Sequence, residues 1–392
     1  MIIKNNHTDK KGTNIMKRWI WQQEGYPNFT YDVKKLEDLI QKISLEQGYL
    51  IALTQTMNNN NIIQRQFEAL MSEAINTAAI EGEILNRDSV KASVQKKLGI
   101  KDTYYHKTEV ATDNLVEILI DANTNYESNL SLERLFGWHN ALFPKGYSGL
   151  VKINVAAFRG KETMQIVSGT VGNGKIYYEA PPREILEDEM KMFLTWFNTT
   201  PPSLLKACIA HLWFVIIHPF DDGNGRIARA ITDLVLSKIE NSKISRLYSM
   251  SSAINSDRKG YYKALEYTTG YVKKTDNRLD ITYWCEWFLS TLYTALLDTK
   301  NRLGHIVQKT KFWDKHKEKN LNARQMKVLN FILDIGVENF KGNLSKKKYM
   351  SIADTASTTA SRDIAELLES GCIRQIEGTS GRNVSYEIVL EE

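Results

Sequence analysis

A chain of 392 residues is long enough for two or three domains with buried cores, and its 42% hydrophobic and 25% charged residues are those of an ordinary globular protein. The formal charge of +5 is small for this length and gives at most a weak pull toward nucleic acid. Cys208, Cys285 and Cys372 are far apart, odd in number and without CxxC spacing, which argues against a disulfide frame or a zinc site. The first residues lack the apolar stretch of a secretory signal, and no apolar run is long enough to span a bilayer. A cytoplasmic protein without membrane contact is therefore expected, with Met16 offering a second start.

In chain order, residues 1–23 are polar and read as loose. Trp19, Trp21, Pro27 and Phe29 form an aromatic cluster that reads as a packing face. A first helix follows, in which Leu36, Ile40, Ile43, Tyr49 and Leu50 recur at helical spacing. A second helix over 62–80 carries Phe67, Leu70, Ala74 and Ala78 along one side and closes at Gly82, since glycine tolerates the left-handed conformation. Glu81 then faces the negative pole of the helix dipole, which calls for a cation beside it. Two amphipathic helices are expected over 113–122 and 132–143. On the second, His139 lies among Leu135, Trp138 and Leu142 and reads as a core histidine without a role. Residues 164–168 and 175–179 read as a β-hairpin, the only good strand signal in the first two-thirds of the chain. A helix over 183–197 opens after Pro181 and Pro182, and an apolar helix over 204–217 leads to His218.

Residues 218–229 read HPFDDGNGRIAR, a tight turn between two apolar helices. Gly223, Asn224 and Gly225 can turn successive N–H groups toward one point, where the next helix presents its positive dipole end to an anion. Asp222 suits a hard cation such as Mg2+, which would bridge phosphate oxygens. Arg226 and Arg229 are three apart and emerge on one side of the helix, where guanidinium forks can grip phosphate. His218 has an unperturbed pKa near neutrality and can take a proton from an attacking hydroxyl. No Walker GxxxxGK motif is present.

This stretch resembles the Fic family signature HPFx(D/E)GNGRxxR and matches it at every defined position. The resemblance implies transfer of AMP from Mg-ATP to a Ser, Thr or Tyr hydroxyl of a target protein, the chain itself included. It makes His218 the base, Asp222 the metal ligand, and Gly223, Asn224, Gly225 and Arg226 the phosphate cradle, with Arg229 on the terminal phosphate. The intact GNGR cradle favours attack at the α-phosphate. Residues 77–82 resemble the family's inhibitory motif (S/T)xxxE(G/N), which implies that Glu81 pairs with Arg229 and blocks the terminal-phosphate position. The hairpin resembles the family's flap, making Gln165, Ile166 and Val167 candidate target contacts through main-chain pairing. The phrase WIWQQEGYPNFTYD resembles the N-terminal helical segment joined to many Fic proteins.

Past the signature, Asn255, Tyr261 and Tyr262 resemble the segment that the family places beside adenine. Core packing is the alternative for at least one of the tyrosines, because neighbours on a helix point in different directions. A mostly helical stretch over 279–313 ends in a polar linker at 315–320. The last part then reads as helices over 323–333 and 349–353, a third helix, and strands over 373–376 and 384–389. The TASRDIAELLESG segment resembles the recognition element of bacterial regulators, which makes this a winged helix-turn-helix. Thr358, Thr359, Ser361 and Arg362 would open the third helix toward bases or phosphates, with Arg382 on the wing. Asp363, Glu366 and Glu369 dilute any basic patch there, so DNA and protein both stand as partners.

The fold class expected is mainly α: a Fic-type helical bundle with a β-hairpin flap, plus a small C-terminal winged helix-turn-helix domain. Boundaries fall at 1–75 for the N-terminal helical segment, 76–314 for the catalytic core and 321–392 for the last domain. ATP and Mg2+ are the expected substrate and cofactor, and a homodimer is compatible with this layout. Alternatives are removal of AMP, transfer of another phosphate-containing group, and a DNA-bound regulator that senses nucleotide.

Overall fold

In the computed structural model, which describes residues 19–57, 59–100, 107–168, 175–240, 247–270 and 277–390, Asp32 opens the first helix. Its side chain accepts the N–H groups of Lys34 and Lys35 at the start of Val33–Thr56 (α1). Asn59–Ile80 (α2) buries Ala69, Leu70, Ala74 and Ala78, and Gly82 takes the positive φ expected of it, 84°. Arg87–Leu98 (α3) is capped by Asn86 and closed by Gly99, yet the sequence reading passes over it. Its buried face is Ser89, Val90, Ser93 and Val94, too small and polar to register as an apolar stripe. Val110–Thr124 (α4) and Leu132–Leu142 (α5) stand where amphipathic segments were expected.

A two-residue hairpin of Tyr147–Ser148 (β1) and Val151–Lys152 (β2) corrects the expectation of a single strand signal in this region, because strands so short show no alternation. The expected hairpin is Gln165–Ser168 (β3) antiparallel to Lys175–Glu179 (β4), with a register shift between Ile166 and Val167. Its connection, 169–174, lies outside the described residues, as do residues 1–18 with Met16.

Leu186–Thr199 (α6) runs into Leu204–Ile217 (α7), which is enclosed on nearly every side, as befits a helix apolar all round. Phe214, Ile216 and Ile217 are fully buried, and each such side chain contributes about 1.5–3 kcal/mol. Asn224–Glu240 (α8) packs along α7 and against α4. Met250–Ser256 (α9), Arg258–Thr269 (α10) and Thr282–Lys315 (α11) follow. The N-terminal aromatics are a packing face as read: Trp19 meets Tyr178 edge-on and Phe29 meets Trp213. His139 is fully buried and stacked on Phe220, in keeping with a core histidine. No described helix is long and apolar enough to cross a membrane.

The chain divides into two units, Met1–Leu297 and Asp298–Glu392. In the second, Ala323–Ile335 (α12), Lys346–Ala353 (α13) and Ser357–Glu369 (α14) precede an antiparallel pair, Ile373–Gln375 (β5) and Tyr386–Ile388 (β6). Val328, Leu329, Ile332, Tyr349, Ile364 and Leu367 form its core. Thr358, Ser361 and Arg362 are exposed early on α14 and Thr359 is half-buried, while the side chain of Arg382 lies outside the described residues.

Asp363 departs from its expected place on the surface. It is fully buried and accepts from Arg324 Nε at 2.8 Å, Asn322 Nδ2 at 3.1 Å and the Tyr349 hydroxyl at 3.1 Å. The Arg324 guanidinium holds its carboxyl below the usual range. Asp363→Ala strands the buried Tyr349 hydroxyl, a loss of about 1–3 kcal/mol, so thermal unfolding of the second unit should begin several degrees lower. An unchanged Tm would show that these bonds add nothing net.

Candidate active site

α7 ends at His218, which takes a left-handed backbone angle (φ 50°) and closes the helix through its N–H on Phe214 O at 3.0 Å. A side chain at such an angle costs about 1–2 kcal/mol. The position is held by Arg159, whose Nε donates to His218 O at 2.8 Å. Asn224 then locks the turn, its Oδ1 accepting Phe220 N–H at 3.0 Å and its Nδ2 donating to Phe220 O at 2.8 Å. Gly223 sits at φ 82°, and a β-carbon there would press on Phe143 at 2.9 Å. The first ladder bond of α8 is Ile227 N–H to Gly223 O. The N–H groups of Asn224, Gly225 and Arg226 lie ahead of that ladder, at the positive end of the helix dipole. Main chain, rather than the Asn224 side chain, is what this turn can offer an anion.

The two adjacent carboxylates face different neighbours. Asp221 accepts Asn154 N–H at 2.8 Å, Asn154 Nδ2 at 2.9 Å and Gly160 N–H at 3.2 Å, so it shapes the loop over 154–160. Asp222 accepts Gly223 N–H at 2.6 Å and, on its other oxygen, the hydroxyl of Ser148. Among the described residues no group of three or more His, Cys, Asp or Glu side chains could hold a metal ion. A cation at Asp222 would draw its remaining oxygen ligands from substrate and water, as Mg2+ commonly does.

His218 Nδ1 lies 3.3 Å from Val215 O. A carbonyl can only accept, so Nδ1 carries the proton and Nε2 keeps its lone pair. Burial, helped by the Arg159 cation, lowers the imidazole pKa to about 4, which leaves it neutral and able to act as a base.

Two further histidines share that neutrality. Burial takes His139 to about 4, and burial with the nearby Arg229 takes His211 to about 3. All three therefore bind a proton less readily in the folded chain than in the unfolded one. The stability they support is complete above about pH 6.5 and is lost at about 1.4 kcal/mol per histidine per pH unit as pH falls toward 4. Tm should drop by several degrees for each pH unit below 6.5, and a flat profile between pH 6.5 and 5 would contradict neutral burial.

Glu81 stands over the same turn. Its Oε1 is 2.7 Å from Arg229 Nη2, and a β-carbon built on Gly225 would lie 2.2 Å from that oxygen. The carboxylate thus rests on the first turn of α8, where an anion is favoured. Arg229 is buried (2% exposed) and also donates Nε to the Thr77 hydroxyl at 2.7 Å and Nη2 to Thr77 O at 2.9 Å. Arg226 is paired as well, with both oxygens of Glu83 at 2.8 and 2.9 Å, and lies over the Phe143 ring. Among the described residues, buried Arg226 Nε and Arg229 Nη1 have no hydrogen-bond partner. Glu83 was not singled out from sequence, although a second acidic residue two places after Glu81 was the available signal.

α2 itself is fastened over its last two turns. Glu73, fully enclosed, accepts the Ser249 hydroxyl at 2.7 Å, Ser251 N–H at 3.1 Å and the Ser251 hydroxyl. Asn255 Nδ2 donates to Asn76 Oδ1 at 2.9 Å, so this expected nucleotide contact is turned toward α2. The tyrosine pair splits. Tyr261 is buried (2% exposed) with its hydroxyl 3.0 Å from His211 Nε2, the core-packing alternative for one of the pair. The Thr232 hydroxyl is already given to Ala228 O, so His211 Nδ1 donates to Thr232 and Nε2 accepts from Tyr261. Tyr262 is 42% exposed, and its hydroxyl donates to Ile80 O at 3.2 Å, beside Glu81.

On the flap, Gln165 Nε2 donates to Glu179 at 2.8 Å and Ile166 is exposed. Val167 pairs with Ile176, and its side chain lies outside the described residues. β4 is tied inward by the Tyr178 hydroxyl on Ile216 O at 2.7 Å and by Trp21 Nε1 on Glu179 O at 2.7 Å.

Residues 129–236, which contain the whole turn from His218 to Arg229, match the Fic/DOC family model. The chain carries a Fic/DOC domain. Ahead of that domain, residues 19–100 match a family described as a domain of unknown function (DUF4172). Over 177 residues the chain is 24% identical to protein adenylyltransferase Fic of Nematostella vectensis, covering 44% of this chain and 38% of that protein. Over 169 residues it is 25% identical to protein adenylyltransferase fic-1 of Caenorhabditis elegans, covering 41% and 30%. The matched stretch spans less than two-fifths of either relative. A Fic family protein from Desulfovibrio desulfuricans G20 has a similar structure, with a TM-score of 0.50 and 19% identity over 91% of this chain and 96% of its own. The Fic-type helical fold implied by the signature is therefore the fold observed.

Proposed function

We propose that the Fic domain transfers AMP from Mg-ATP to a hydroxyl side chain of a target protein, this chain included, and that Glu81 holds it in an inhibited state. The hydroxyl oxygen attacks the α-phosphorus and gives its proton to His218 Nε2. The bond from the α-phosphorus to its bridging oxygen breaks, and pyrophosphate leaves. The N–H groups of Asn224, Gly225 and Arg226 at the start of α8, together with the Arg226 and Arg229 guanidinium groups, would hold the phosphates, with Gly223 allowing the turn while its own N–H stays on Asp222. Asp222 would hold Mg2+, which neutralises phosphate charge. A target segment would add to the edge of β3 at Gln165, Ile166 and Val167, because β4 is occupied on its other side. Tyr262, the exposed ring of the pair, would meet adenine.

One observation carries this reading: an anion, the Glu81 carboxylate, already sits between Arg229 and the first turn of α8, beside a neutral His218. The names of the relatives, protein adenylyltransferases, support the same class of reaction. Incubating the full-length protein with ATP labelled on either the α- or the γ-phosphate tests it. Label retained on protein from the α-phosphate alone is expected, and γ-label alone would replace this reaction by phosphoryl transfer. The presence of Glu81 inside the site also favours a second use, orienting water for removal of AMP. Loss of label from pre-modified protein would register that reverse reaction.

A further inference from the structure

Arg159 is buried (2% exposed), yet forms no ion pair with a carboxylate among the described residues. Its polar contacts all go to main-chain carbonyls: Nε to His218 O at 2.8 Å, Nη2 to Pro181 O, and its own N–H to Pro219 O at 2.9 Å. Enclosing a guanidinium with no carboxylate in contact is unfavourable: burial lowers its pKa to about 10, and the more distant Asp221 and Glu184 offset only part of that. A well-packed apolar side chain would serve stability as well or better. What the guanidinium does that no apolar group can is join three segments. Arg159 precedes β3, Pro181 follows β4, and His218 bears the imidazole.

We propose that Arg159 is a positioning residue that sets the His218 imidazole against the flap, by tying the left-handed main chain of His218 to both feet of the β3–β4 hairpin. The fork matters, because its two nitrogens reach two carbonyls on separate segments, where a lysine ammonium is a single point. With the fork removed, the His218 carbonyl loses its donor and the strained backbone can relax. The Nδ1–H bond to Val215 O then loosens, and Nε2 no longer points one way. The catalytic part of this inference rests on the proposed base role of His218, whereas the placement of the ring does not.

The test uses full-length Glu81→Gly protein as parent, with Arg159→Met and Arg159→Lys added to it. Imidazole 15N spectra, with His218 identified by its loss in His218→Asn, should show a single Nδ1-protonated tautomer in the parent. Averaged tautomers are expected in Arg159→Met and an intermediate signal in Arg159→Lys. The kcat for incorporation of α-phosphate label should fall about 100-fold in Arg159→Met, the usual cost of a small misplacement, with KM for ATP unchanged. An unchanged His218 signal in Arg159→Met overturns the proposal whatever the activity. So does a reduced ATP-binding stoichiometry with unchanged turnover per bound nucleotide, which is the mark of a merely structural residue. If the parent transfers no label but the His218 signal moves, the AMP-transfer reading fails and the positioning role stands.

Discussion

Glu81→Gly is expected to raise incorporation of α-phosphate label from ATP by about 30-fold or more, the rate equivalent of a roughly 2 kcal/mol obstacle. The obstacle is physical displacement. The carboxylate oxygen lies 2.7 Å from Arg229 Nη2 and directly over Gly225, so on the proposed mode of binding a terminal phosphate and Glu81 would compete for one guanidinium and one helix end. Removing the side chain does not let Arg229 collapse, because Thr77 still holds Nε and Nη2. Glu81→Gln keeps an acceptor but drops the charge and should fall between the two. Labelling that is the same in all three proteins would mean that Glu81 does not gate the site.

In that activated background, loss of the His218 imidazole should lower incorporation by about 10²–10⁴-fold, the range for a general base. The substitution needs care. His218 stands at φ 50°, where alanine is strained, whereas asparagine tolerates the left-handed region. His218→Asn thus keeps the turn while removing the base, and His218→Ala alone would mix catalysis with backbone strain. ATP affinity, measured by calorimetry, should stay within a few-fold of the parent, since the groups of α8 proposed to hold phosphate are untouched. If affinity collapses together with turnover in His218→Asn, the residue is shaping the turn rather than taking a proton.

The signature was legible in sequence because its chemistry is packed into twelve consecutive residues, and so was the pairing of Glu81 with Arg229, through a second recognisable phrase. Other partners were hidden by distance along the chain. Glu83 meets Arg226 across 143 residues and Arg159 meets His218 across 59, with no local pattern at either end. The two tyrosines were ambiguous for a geometric reason. Adjacent residues on a helix differ by about 100° in direction, and only the packing of α10 decides that Tyr261 turns in and Tyr262 out. Asp363 misled for the opposite reason: a carboxylate on a polar helix reads as solvated until Arg324, Asn322 and Tyr349 are seen around it. Within the fold, α3 escaped notice because serine and valine line its inner face, and β1–β2 because two residues carry no period.

The anchoring of α2 through Glu73, Asn76 and Thr77 bears on how such a site could be switched on. A helix fixed to the scaffold this close to its end holds Ile80, and so the start of the segment that follows, in place. Under the proposed inhibition, activation would take place within a few bonds of its last residue, by torsional rotation of Glu81 and Glu83. Side-chain rotations are fast and small compared with domain movements. A regulator would therefore need only to hold two carboxylates aside, and the resting state would reform as soon as it let go.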